Sequence, residues 1–158
     1  PPKLLGPAIS VESAARVASW ADGLLTVSQP IEVLRDVVAA YQEAGGTGPM
    51  AIQAHISWAT SDQLAQSIAY NQWRSNVFPP DVAADTETTE DFDRLSQDVE
   101  PQEVADAVRI SHDLGRHRAW IQEYADLGFD DIYLHHVGQD QRDFIETFGE
   151  QVLPAVKE

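Results

Sequence analysis

Cysteine is absent from the 158-residue sequence. Disulfides, thiolate nucleophiles and thiolate metal sites are therefore excluded. The absence fits a reducing, cytoplasmic setting. Basic residues are scarce, 10 Lys and Arg against 26 Asp and Glu, for a formal net charge of −16. Such a surface repels phosphodiester backbones and anionic lipid, so neither nucleic acid nor membrane is expected as a partner. The acidic balance itself serves solubility and says little about fold. No apolar run approaches the length that crosses a bilayer. The chain starts Pro1-Pro2-Lys3, without an initiator methionine or a signal-peptide pattern, which reads as a cut or recombinant chain. No internal repeat, low-complexity tract, P-loop or dinucleotide fingerprint is present. No Ser-His-Asp arrangement or paired-carboxylate motif stands out by spacing, and no ligand set suggests a metal.

What is present is an alternation of short apolar runs and amphipathic helices, within one domain's length. Strands are predicted at 3–8, 23–27, 50–58 and 131–136, each bounded by Gly, Pro, Asp or Ser. Between them, Ser10 reads as the N-cap of a helix carrying Val11, Ala14, Ala15, Val17 and Ala18. Pro30 reads as the first-turn proline of a helix ending at Gly45-Gly46. Further helices are predicted from Ser61 or Asp62 to Gln72, from Pro101 to Ile110, and from Asp113 to Gly128. A last one holds Phe144, Ile145, Phe148, Val152 and Leu153. Strands alternating with helices form a parallel sheet with right-handed crossovers.

Residues 78–100 stand apart. They hold eight acidic residues against one basic residue, Arg94. The stretch is either a solvated surface excursion or a lid inserted over a mouth.

The third strand carries the chief physical argument. Gln53, His55 and Ser57 alternate with Ile52, Ala54, Ile56 and Trp58. Three polar residues on one face would be costly in a sheet buried on both sides. In a barrel the apolar set packs outward on helices, while the polar set lines the lumen near its C-terminal mouth. At the end of the fourth strand His135 and His136 face opposite ways, so one of them lines a pocket there. The turns at 6–10 and 26–30 join strand ends to helix N-termini, where free amides and the helix dipole suit a phosphate. Val27 and Ser28 in the second turn are candidate pocket residues.

These landmarks together resemble a known family. The segment Pro1–Leu5, the following helix and Ala21-Asp22-Gly23-Leu24-Leu25-Thr26 look like the middle of the luciferase-like monooxygenase superfamily. Leu127–His135 is similar to its last barrel strand. Gly138–Ile145 with Val152-Leu153-Pro154 is similar to its closing helix. Within that superfamily the branch of coenzyme F-420-dependent glucose-6-phosphate dehydrogenase is the one resembled. The resemblance implies an α/β fold in which residues 1–158 form one segment, the C-terminal half (strands five to eight) of a TIM (β/α)8 barrel. It implies a flavin or deazaflavin oxidoreductase as the parent, with FMN or coenzyme F-420 at the C-terminal mouth. The coenzyme phosphate would then lie at Ile9, Ser10, Glu12 and Ser13.

Departures from the branch matter. Ile9 and Ser10 stand where it has glycines. Pro30 replaces a lysine that serves the substrate phosphate, and a second such lysine falls in the acidic stretch. Arg109 lies near a third phosphate contact. These changes point to an uncharged or cationic organic substrate. The family's acid–base residues lie in the first half of the barrel and have no counterpart here. The chain alone is therefore expected to be inactive, needing an N-terminal half or a second copy. The alternative is a non-catalytic half-barrel module that assembles with a partner chain or with itself.

Overall fold

Four parallel strands form the frame of the computed structural model, which describes residues 1–156. They are β1 (Leu5–Pro7), β2 (Gly23–Val27), β3 (Met50–Ser57) and β5 (Asp131–His136). Their spatial order, β1-β2-β3-β5, follows the order of the chain. A two-residue strand, β4 (Arg109–Ile110), continues beyond β2 along the same side of β3. The carbonyls of Gln53 and Ser57 point to that one edge, accepting from the amides of Ser28 and Ser111.

Most helices lie on one face, while α3 (Asp62–Trp73) folds over the C-terminal end of the other. α1 (Val11–Val17), α2 (Ile31–Glu43) and α7 (Leu114–Asp126) cover β1 to β3. Leu24, Ile52 and Ala54 of the sheet meet Ala14, Leu34, Val37, Tyr41 and Tyr124 there. α8 (Gln141–Thr147) and the turns after it close over Ile56, Ile132 and Leu134 through Phe144, Phe148 and Val152. Strands in chain order with helices on one face make the wall of a barrel. In a doubly wound sheet the order reverses and both faces are covered.

Local sequence explains the helix ends. Ser10 Oγ accepts from the Ser13 amide, and Ser13 Oγ accepts in turn from the Ser10 amide. Ser61 caps α3 (Asp62–Trp73) by accepting from the Leu64 amide, and Asp113 caps α7 by accepting from the Gly115 amide. Gly45 follows the end of α2 at φ +93°, a conformation that costs glycine nothing. Pro30 sits one residue earlier than expected: its ψ of 140° is extended, so it is the N-cap residue rather than the first helical one.

The remaining differences are non-local in origin. Residues 78–100 contain two short helices, α4 (Pro80–Asp85) and α5 (Thr89–Leu95), and a 3-10 turn at Ser96–Asp98. The helix expected through Ile110 stops early as α6 (Pro101–Ala107), because Arg109 and Ile110 pair with β3. After α8 the backbone widens into a π turn at Phe148–Val152 before α9 (Leu153–Val156), which aims both Phe148 and Val152 into the core. The segment from α3 to β4 builds its own small core. Ala69, Val99, Val104 and Val108 meet Val137, just past the end of β5. This insertion is thereby fixed at the C-terminal ends of the strands.

Candidate functional site

The second face of the sheet carries no helix over most of its length. Its rows follow from strand register: Pro7, Leu25, Ala51 and Asp131, then Val27, Gln53 and Tyr133, then His55 and His135. Tyr133 is 54% exposed in the middle of this face. Alternation along β3 and β5 thus separates two environments, as the polar-apolar pattern of 52–58 predicts.

At the C-terminal end of the face four side chains converge. His55 and His135 are register partners, and their Nδ1 atoms lie 3.1 Å apart. Gln53 reaches from the row below, its amide nitrogen 3.3 Å from His135 Nδ1. Trp73, at the end of α3, lies over both imidazoles, with ring centroids 4.6 Å from His55 and 5.2 Å from His135. The backbone of His55 is held from the residue that follows β2, Ser28, whose Oγ accepts from the His55 amide at 3.0 Å. Burial, and then the neighbouring His135, push the His55 pKa down to about 4. The ring is therefore neutral at pH 7 and acts as a hydrogen-bonding group without charge.

Other candidates are placed differently. Ser57 is fully buried and donates to the carbonyl of Ala65, so it anchors α3. His136 is 4% exposed on the helix side, stacked on Phe144 at 4.9 Å, and burial lowers its pKa. Val27 lies beside Gln53 on the bare face. Arg109 turns toward α7, where Nε donates to Tyr124 Oη at 3.3 Å and the guanidinium lies over Trp120. It shares no hydrogen bond with the imidazole cluster among the described residues. Among those residues no group of three or more His, Asp or Glu side chains is placed to hold a metal.

Ile9, Ser10, Glu12 and Ser13 form the turn at the end of β1, two strands from β3 but at the same C-terminal end of the sheet. Ile9 is 50% exposed. The Ser10 and Ser13 amides are taken by the reciprocal cap, which leaves those of Val11 and Glu12 without partners among the described residues. Ser10→Ala should cost the chain about 1 kcal/mol by removing one half of this cap. Urea denaturation reads this directly, and an unchanged midpoint would mean the cap is dispensable.

Sequence reasoning missed Trp73 and Tyr133. For Tyr133 the signal was available, since it shares parity with His135 on the same strand. For Trp73 none existed, because its contact depends on how α3 folds back over the strand ends.

No family model matches the sequence. The chain is similar to F-420-dependent glucose-6-phosphate dehydrogenases. It is 31% identical to that of Nakamurella multipartita over 85 residues, 54% of this chain and 25% of the relative. With that of Intrasporangium calvum it shares 31% over 67 residues, 42% of this chain and 20% of the relative. Among solved structures it superposes on an F-420-dependent secondary alcohol dehydrogenase bound to an F-420–acetone adduct. The TM-score is 0.80 at 17% identity, covering 96% of this chain and 48% of the other. It also superposes on the coenzyme F-420-dependent tetrahydromethanopterin reductase of Methanopyrus kandleri, with TM-score 0.68 at 19% identity, covering 95% and 50%. The fold is thus half of a (β/α)8 barrel of the luciferase-like type, and the chain resembles that superfamily in both sequence and structure. The aligned part is about a quarter of the length of the curated relatives, and the chain spans about half of the solved structures it matches.

Proposed function

We propose that this chain is the C-terminal half of a barrel oxidoreductase that uses FMN or coenzyme F-420, and that it bears the coenzyme-phosphate side of the mouth. The observation that carries the reading is the bare sheet face. Strands in barrel order present Gln53, His55 and His135 at their C-terminal ends, where enzymes of this architecture hold their ligands.

The β1–α1 turn fits a phosphate in part. The Val11 and Glu12 amides and the hydroxyls of Ser10 and Ser13 would hold it, while the Glu12 carboxylate beside them opposes its charge. The bulkier Ile9 and Ser10 keep an anion at the turn's surface. When bound, a flavin or deazaflavin supplies the hydride chemistry. This chain's residues supply orientation and a neutral hydrogen-bonding wall. The acidic balance favours an uncharged or cationic substrate. A second half-barrel would cover the open face and pair with the outer edges of β1 and β5.

The test is titration of FMN and of F-420 into the natural full-length chain, read by fluorescence. One of them should saturate, and Ser10→Trp should weaken it at least tenfold. Unchanged affinity in Ser10→Trp would move the phosphate away from this turn, and failure of both coenzymes to bind would sink the function. The exposed Tyr133, 54% accessible, favours one second reading. On that reading the chain is a non-catalytic module that buries this face against a copy of itself. A native mass of two chains without coenzyme binding would select it.

A further inference from the structure

A cavity of about 470 Å³ lies between α3 and α8, at the C-terminal ends of β3 and β5. That size suits a small molecule. All of its walls come from residues 58–72 and 136–144. Trp58, Ile68 and Phe144 are its apolar surfaces, and the exposed Asp140 and Asp143 bring carboxylates to its rim. No Lys or Arg lines it among the described residues. Arg142, beside Asp143, reaches toward Glu146 instead.

His136 is the polar group inside. It is 4% exposed and stacked on Phe144. Burial lowers its pKa, so the ring is neutral at pH 7 and carries one proton. Its Nδ1 is sealed without a hydrogen-bond partner. The Ile56 carbonyl near the ring accepts from the Val137 amide at 2.9 Å. A sealed N–H without an acceptor is the costlier orphan, which assigns the proton to Nε2. Nε2 has no partner among the described residues and is not sealed from solvent. Gly138 keeps that edge of the ring open: a Cβ there would lie 2.5 Å from Nε2 and 3.0 Å from Ile68 Cγ2. An N–H donor thus stands in the cavity wall with nothing to receive it.

We infer that this cavity binds an organic cation that also carries an oxygen acceptor, the simplest being an amino alcohol with an apolar body. The apolar body packs on Trp58, Ile68 and Phe144. The ammonium group meets Asp140 and Asp143, and the oxygen accepts from His136 Nε2–H. Asp140 is close enough to act on the charge of the His136 ring, so one small molecule spans both. An anion is opposed by the two carboxylates. A plain amine leaves the imidazole N–H unanswered. The site is separate from the imidazole cluster, because His136 faces away from His135 and needs no coenzyme beside it.

The experiment uses the natural full-length chain, labelled with nitrogen-15 at histidine and free of coenzyme. The probe is 2-amino-1-phenylethanol, compared with 2-phenylethylamine, 2-phenylethanol and phenylacetate. The His136 signal, identified by its loss in His136→Phe, should show the Nε2–H tautomer at pH 7 and shift with the amino alcohol. The plain amine should bind about fivefold more weakly, the equivalent of one lost hydrogen bond. The uncharged alcohol should also bind more weakly, and phenylacetate should not saturate. Asp140→Asn combined with Asp143→Asn should weaken the amino alcohol roughly tenfold and leave the uncharged alcohol unchanged. His136→Phe keeps a ring on Phe144 and should abolish the preference for the amino alcohol over the amine.

Four results would each overturn the inference: a His136 proton on Nδ1, no shift of His136 with any probe, an anion that binds as well as the cation, or variants that bind the probes as the wild type does. If neither FMN nor F-420 binds, the function proposed above fails, while these titrations still decide the cavity's ligand.

Discussion

Gly48→Ala should cost the fold roughly 3 kcal/mol or more, the upper range for forcing an atom into filled space. A Cβ at Gly48 would lie 1.7 Å from the Asp22 carbonyl oxygen and 3.1 Å from the Gly23 Cα. Both are backbone atoms, so no rotamer change relieves the clash. Nor is Asp22 free to retreat. Its amide donates to the Leu4 carbonyl, and its carboxylate accepts from the Leu4 amide at 2.9 Å. Leu24 donates to the Pro49 carbonyl next to Gly48. The entries of β1, β2 and β3 are thus tied together around one aspartate, and an added methyl group has to part them. Urea unfolding of Gly48→Ala against Gly149→Ala gives the comparison, because a Cβ at Gly149 meets nothing within 4 Å. Equal midpoints for the two variants would show that the strand entries are not closely packed in solution.

Acid should destabilise the protein well before its carboxylates protonate. His55, His117 and His136 all have folded-state pKa values below the ordinary histidine value of 6.5, with burial the largest cause in each. His117 is 1% exposed, and its Nε2 bonds the Ser111 carbonyl at 2.9 Å. Its Nδ1 is buried without a partner, as is that of His136, so protonation would bury an N–H with no acceptor. As pH falls through about 6.5 the unfolded chain takes up these protons while the folded chain does not. Stability therefore falls with pH from that point, and for His55 the loss is complete near pH 4. Allowing for its partial exposure, His55 alone should account for on the order of 2 kcal/mol. Relief of acidic self-repulsion acts in the opposite direction, so the informative quantity is the difference between variants. Urea unfolding from pH 7 to 4.5 should show a shallower loss in His55→Gln than in the wild type. Parallel curves would remove His55 from this account.

Much of the fold was legible because its causes are local. The limits of β2 and β5 and the caps at Ser10, Ser61 and Asp113 follow from residues within a few positions of one another. The alternation in 52–58 assigned each side chain of β3 to a face, because strand parity is a property of the backbone alone. The two residues of β4 carry no such pattern. They are a strand only because Ile56 and Ser57 offer an unpaired edge beyond β2.

The site divides along the same line. Composition determined that thiol chemistry is excluded and that the surface is acidic, and parity determined that Gln53 and His55 share a face. Tertiary structure decided the rest. It set His55 against His135, 80 positions away, because parallel register places them side by side. It turned Arg109 toward Tyr124 and Trp120 and sealed Ser57 beneath α3. It also brought Trp73 over the imidazoles, through the core that the insertion builds with Val137. Residue type and spacing fix which face a side chain occupies, but only packing between distant segments fixes which side chains meet there and whether water still reaches them.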